Sequence, residues 1–324
     1  MLERFDRYME RCLYHPTNGF YSSGAGSAGR RGDFITSPEV GPLFADVLAN
    51  ALDHWWDDLG QPATLPVYDA GTGPGALVRS LTAAPGRSAG ARTVSGADRR
   101  ADGSTDLPAD LTGSVVIANE LLDNLPFRIA ERVDGGWSEV WVRTDDAGAR
   151  PVEVLEPLVD DASAVLRLPE IDMLAVGARV PVLEEASRWI VDVLDRNPAV
   201  LLVFDYGSAS TADLGERGGW LRTYRDHQRS DDPYEQPGGR DITTDIAIDQ
   251  LPTPGEVTDQ GSFLRRWGIE QLVDEGREYW RRHAGAPDLA ALKMRSRIGE
   301  AEALLDPAGL GGWFVCSWMS SAAV

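Results

Sequence analysis

Val67-Tyr68-Asp69-Ala70-Gly71-Thr72-Gly73-Pro74-Gly75 is the stretch on which the fold turns. Val67 to Ala70 reads as a short strand after Pro66, and Gly75 to about Ala84 reads as a helix. Between them, behind Asp69, glycines stand at alternate positions. Glycine turns the backbone sharply and lets it approach a ligand with no Cβ in the way. In a doubly wound sheet such a turn lies at the carboxyl ends of the strands, where ligands bind. A tight structural turn is the competing reading of the glycines alone.

The same rhythm extends downstream. Arg92 to Asp98 predicts a second strand, and Asp98 at its end is placed to accept from ribose hydroxyls, as acids do in dinucleotide sites. Ser114 to Asn119 and Val200 to Asp205 are apolar on both faces, and a helix is predicted over 184–196. Strands of that kind separated by helices predict a parallel sheet covered by helices, an α/β fold of Rossmann-like type. Gly311 to Trp318 predicts a late strand that closes the sheet.

Other segments interrupt the alternation. Residues 2–13 predict an amphipathic helix. Ser37-Pro38-Glu39 predicts a helix start, with Ser37 as N-cap and Pro38 in the first turn, running to about Leu59. Residues 127–143 predict a hairpin around Asp134-Gly135-Gly136. Residues 207–262, rich in Gly, Pro, Asp and Arg, read as a functional excursion or as disorder. The predicted organisation is an N-terminal helical lid segment over 1–62 and a core over 63–324, with insertions at about 127–170 and 207–262.

Composition narrows the function classes. A chain of 324 residues that is 43% hydrophobic is ample for a large core. The net charge of −20 repels phosphate backbones, so no nucleic-acid partner is expected; it would attract a basic one. Acidic excess also serves solubility alone. No window approaches about 18 consecutive apolar residues, so no membrane span is expected. The acids near the N-terminus do not suit a secretory signal. Cys12 and Cys316 stand at opposite ends of the chain, and His15, His54, His227 and His283 are scattered. A disulfide framework and a structural metal are therefore not expected, and a cytoplasmic setting is.

Asn119-Glu120-Leu121-Leu122-Asp123-Asn124-Leu125-Pro126 follows a predicted core strand, so its polar groups fall at the cleft. Glu120 and Asp123 suit a cationic substrate, since a planar guanidinium pairs well with carboxylates. Acids at a helix N-terminus are the alternative. Asp205-Tyr206-Gly207 leaves another core strand in the same way. Asp33, in the turn before Ser37, reaches the cleft only if the N-terminal segment folds over it.

Several separate segments together resemble the MidA-like family of S-adenosylmethionine (SAM)-dependent methyltransferases, bacterial and mitochondrial proteins linked to respiratory complex I assembly. They are Tyr8-Met9 with Leu13-Tyr14-x-Pro16-x-x-Gly19-Phe20-Tyr21, Gly32 to Glu39, the glycine loop, Asn119 to Pro126, and Asp205-Tyr206-Gly207. Leu221-Arg222-x-Tyr224-x-x-His227, Pro237-Gly238-x-x-Asp241-Ile242-Thr243 and Gln260-Gly261-x-Phe263-Leu264-x-x-Trp267-Gly268-Ile269 continue the match. The resemblance implies a Rossmann-like core with added helical parts, SAM as cofactor and, from the mitochondrial relatives, methylation of a protein arginine. It makes Asp69, Gly71, Gly73 and Gly75 contacts to SAM. It makes Gly32, Asp33, Thr36 and Ser37 a lid over the cofactor, and places Asn119, Glu120 and Asp123 near the reacting nitrogen. The chain departs from the family at Asp69 and Pro74 within the loop and at Asp245 after the Asp-Ile-Thr unit. Residues 99–113 are also too few for a further helix and strand, which need roughly 25 residues. That shortening favours an alternative, a catalytically weak or inactive assembly protein on the same fold. A small-molecule methyltransferase is a third reading, and a homo-oligomer stays open.

Overall fold

A computed structural model describes residues 1–22, 36–100, 104–145, 149–158, 169–225 and 228–320. Six strands form the central sheet, in the order Glu256–Asp259, Phe314–Met319, Val200–Asp205, Val115–Asn119, Leu65–Ala70, Arg92–Ala97. The last four run parallel. Phe314–Met319 is antiparallel to Val200–Asp205, and Glu256–Asp259 is antiparallel to Phe314–Met319. From Leu65–Ala70 the chain steps outward to Arg92–Ala97, then crosses back to Val115–Asn119 on the other side. This reversal opens a crevice beyond the carboxyl ends of Leu65–Ala70 and Val115–Asn119.

The sheet is covered on both faces because its side chains alternate. Val115, Ile117, Val200, Leu202 and Phe204 pack with Phe44, Leu48 and Trp55 of the helix Pro42–Asp58 and with Leu77 and Leu81 of Ala76–Ala83. Val116, Ala118, Leu201 and Val203 pack on the opposite face with Tyr8 and Met9 of Phe5–Tyr14 and with Ile190 of Glu184–Leu194. Burying a side chain such as Leu or Phe is worth about 1.5–3 kcal/mol, so these layers fix the sheet and the crevice at its end.

Arg92–Ala97 is an edge strand. No strand of the central sheet follows between it and Val115–Asn119 among the described residues, as the short 99–113 spacing predicts. Arg99 and Thr105 instead form an isolated bridge.

Three expectations need correction. Residues Leu2–Arg4 are not helical: they pair with Trp141–Arg143, a distant partner that satisfies their backbone. The helix expected to start at an N-cap Ser37 is capped by Thr36, which forms a capping box with Glu39 and places Ser37 at the first helical position. That helix is also broken. Ser37–Val40 is one turn, and Pro42–Asp58 starts afresh after Gly41. Of the two readings left open for 207–262, the described residues take the ordered one, with a helix Thr211–Arg217 and antiparallel strands Leu221–Arg225, Gln228–Ser230 and Asp241–Thr244. Its last strand, Glu256–Asp259, belongs to the central sheet. The hairpin forms as expected, Arg128–Val133 against Gly136–Arg143.

Candidate active site

Two turns meet at the crevice. The first leaves Leu65–Ala70 through Gly71, Gly73 and Gly75, whose φ angles of +78°, +47° and +74° lie in the left-handed region that favours glycine. Gly71 N–H donates to Ala97 O at 2.8 Å, and Gly75 N–H donates to Thr72 O at 2.8 Å. A Cβ placed on Gly73 would meet nothing within 4 Å, so the loop presents open backbone on that side. Asp98 is not a free acid at the end of its strand: one carboxylate oxygen accepts from Gly73 N–H at 3.1 Å and braces the loop. Asp69 is buried beneath it, and burial, with a smaller push from Asp98, moves its carboxyl up to about 6.

The second turn leaves Val115–Asn119. Glu120 is a non-glycine residue at φ +54°, a strained conformation of the kind that clusters at functional sites. Its N–H is tied to Phe204 O at 2.9 Å. Asn119 Nδ2 donates to Glu120 Oε1 at 2.8 Å. Wholly buried Asp205 accepts from the N–H groups of Leu122 at 3.0 Å, Asp123 at 3.3 Å and Tyr206 at 3.0 Å. It thus pins the 120–124 turn to the neighbouring strand. The Tyr206 hydroxyl donates to Asp123 Oδ2 at 2.5 Å and lies 2.8 Å from Thr243 Oγ1. Asn124 Nδ2 donates to Asp241 Oδ1 at 3.1 Å, which also accepts from Tyr21 Oη at 2.8 Å.

This crowding of carboxyls in a dry place raises their affinity for protons. Burial, with the nearby Asp123 charge, pushes Glu120 well above the usual carboxylate range. Burial moves Asp123 up to about 6, against the Tyr206 hydrogen bond and the Arg222 charge that pull it down. Burial and the Asp123 charge move Asp241 up to about 7. Asn119 Oδ1 and Asp123 Oδ1 are buried with no hydrogen-bond partner. Orphaned acceptors at a cleft call for donors from a ligand. A cleft of about 470 Å³ opens beside them, lined among others by Glu120, Asp123, Tyr206, Arg222, Thr243 and Trp313.

These features fit a cationic cofactor and a cationic substrate. The open glycine backbone suits a close approach, and the acids compensate positive charge. The structure brings Asn119, Glu120 and Asp123 into one crevice, next to the loop that carries Asp69, Gly71, Gly73 and Gly75. Ser37 joins them through its backbone N–H, which reaches the Glu120 carboxylate, while its hydroxyl donates to Gln260 Oε1 at 3.0 Å. The Thr36 side chain is taken up by its cap. Gly32 and Asp33, like His227, lie outside the described residues.

Sequence reasoning did not single out Arg217, Arg222, Thr243 and Trp313 as cleft residues. They come from distant segments, and the only signal for two of them was the motifs around Leu221-Arg222 and Asp241-Ile242-Thr243. The Asp205 side chain serves as a brace beneath the cleft.

The chain is similar to known methyltransferases. A model of a family described as S-adenosyl-L-methionine-dependent methyltransferases matches residues 102–261. A crystal structure of a COG1565 superfamily member from Burkholderia thailandensis, bound to S-adenosyl-homocysteine, superposes with a TM-score of 0.79 at 26% identity, covering 98% of this chain and 88% of that one. The Drosophila melanogaster protein arginine methyltransferase NDUFAF7 homolog, mitochondrial, is 25% identical over 83% of this chain and 72% of its own length. Human NDUFAF7 of the same description is 25% identical over 84% and 72%. SAM is the cofactor, and motifs, sheet order and these relatives together make the chain a SAM-dependent methyltransferase that resembles the MidA-like family.

Proposed function

We propose that the enzyme methylates a guanidinium nitrogen of a protein arginine. The observation that carries the reading is the convergence of Glu120 and Asp123 on one cleft beside the glycine loop. Two carboxylates facing a cleft suit a planar, five-donor cation. The description of the relatives as protein arginine methyltransferases supports the same substrate class.

Bound SAM supplies a methyl group already activated on a sulfonium. The protein's own residues then do three things. The backbone of Gly71 to Gly75, with Asp69 and Asp98 behind it, holds the cofactor in place. Asp123, oriented by Tyr206, and Asn119 accept hydrogen bonds from the guanidinium and aim one nitrogen, which is the positioning that in-line transfer requires. Glu120, tuned toward proton acceptance by its dry surroundings, takes the proton that the nitrogen sheds as its new N–C bond forms.

Glu120→Gln should lower methyl transfer about 10²-fold, the scale of one lost electrostatic contact in a preorganised site. SAM affinity, read by calorimetric titration, should stay within a few-fold. Wild-type turnover in that variant would reject the role.

A further inference from the structure

One cleft feature is not absorbed by this reading. Asp245, where the family pattern has a different residue, is buried at 3% side-chain exposure and holds two arginines, Arg217 and Arg222. Arg222 is itself largely buried, lies 4.9 Å above the Tyr206 ring and donates through Nε to Gly219 O at 3.4 Å. Arg217 projects from the last turn of its helix with 49% of its side chain exposed. Both line the same cleft as Glu120 and Asp123. The cleft therefore carries both Glu120 and Asp123 and two guanidinium groups that share the Asp245 carboxylate.

We propose that Arg217 and Arg222 read a carboxylate on the substrate, so that the preferred target is an arginine with an acidic residue beside it. The proposal rests on the arginine reading of the site. A guanidinium entering between Glu120 and Asp123 comes close to Arg222, which Tyr206 and Asp245 keep from swinging away. Like charges at such range repel: Asp245 shares its one charge between both arginines, and Asp123, whose charge also faces Arg222, is taken up by the incoming guanidinium. A substrate that brings its own carboxylate fills the deficit, and the arginine fork is matched to carboxylate geometry. Basic flanking residues, which the overall charge of −20 would otherwise favour, meet a locally cationic rim.

Three synthetic peptides test this, identical but for Asp, Ala or Lys on both sides of one arginine. Methyl transfer from SAM is measured with the full chain, and binding of the labelled peptides to the S-adenosyl-homocysteine-saturated protein is measured by fluorescence anisotropy. The Asp-flanked peptide should bind about fivefold more tightly than the Ala-flanked one, the scale of a partly exposed ion pair, and the Lys-flanked one should be weakest. Arg217→Glu should reverse the order of the Asp and Lys peptides, whereas Arg217→Lys should restore most of the preference. Equal binding of all three peptides overturns the proposal, whether or not they are methylated. Preferential binding of the Asp peptide without methylation of any of them supports the carboxylate site and overturns the arginine reading instead.

Discussion

Each glycine and each hydroxyl at the crevice has a distinct task. Gly71 sits at φ +78°, and a Cβ there would stand 3.1 Å from Leu121 Cδ1. Gly71→Ala should cost about 1–2 kcal/mol from the left-handed backbone alone. If the same turn cradles SAM, as proposed, SAM affinity should fall about tenfold; urea unfolding and calorimetric titration measure the two effects separately. Tyr206 matters through its hydroxyl, which holds Asp123 Oδ2 and draws its pKa down from where burial alone would put it. With that carboxyl at about 6, kcat/KM should decline on acidification through that range. Tyr206→Phe removes the stabilising hydrogen bond from the charged form, so the acidic limb of the pH profile should move to higher pH. An unshifted limb would mean that Asp123 does not set it.

Gly41 decides how the chain enters the helix Pro42–Asp58. The Glu300 carboxylate, delivered by the helix Leu289–Leu305, accepts from Leu43 N–H at 2.9 Å and so caps that helix. It occupies the space a Cβ on Gly41 would need, with its carboxyl carbon 2.2 Å from that point. Gly41→Ala should lose about 1–3 kcal/mol, the usual range for overpacking. In a Glu300→Ala background the same substitution should cost clearly less, since the obstructing group is gone. A double-mutant cycle by urea unfolding reads the coupling, and strict additivity would refute the contact. Pro42 keeps Gly41 out of the helical region and so separates Ser37–Val40 from Pro42–Asp58, while Glu300, some 260 positions away, caps the second helix.

Over the whole molecule, the crevice carboxyls make stability depend on pH. In the folded chain Asp69 and Asp123 titrate at about 6 and Asp241 at about 7, against an ordinary value of 3.8. Between those limits the folded state binds more protons than the unfolded one. Unfolding free energy therefore falls as pH rises from about 4 to about 7, then levels off. Urea midpoints should be higher at pH 5 than at pH 8, and Asp241→Asn, which keeps the acceptor oxygen, should flatten the difference. A rise in stability with pH over this window would contradict the burial of these groups.

How much of this the sequence revealed depends on the range of the interaction. Strands Val115–Asn119 and Val200–Asp205 were legible because their apolar runs satisfy burial on both faces wherever they are placed. The glycine loop was legible because φ above zero leaves few other residues to choose from. Glu120 and Asp123 were legible because a parallel strand's exit always faces the crevice. Leu2–Arg4 was misread because strand pairing is a contract with a distant edge, invisible to local periodicity. Asp205 exits its strand as Glu120 does, yet only the packed turn at 122–123 makes it a brace. Asp98 resembled a free ribose acceptor until the fold set Gly73 N–H against it. Sequence alone therefore determined the α/β alternation, the glycine turn and the acids beside it, all of which follow from local backbone and burial rules. The tertiary structure alone decided that Arg217, Arg222 and Asp245 share a cleft with those acids, because charges far apart in the chain acquire their mutual distances only when the chain folds.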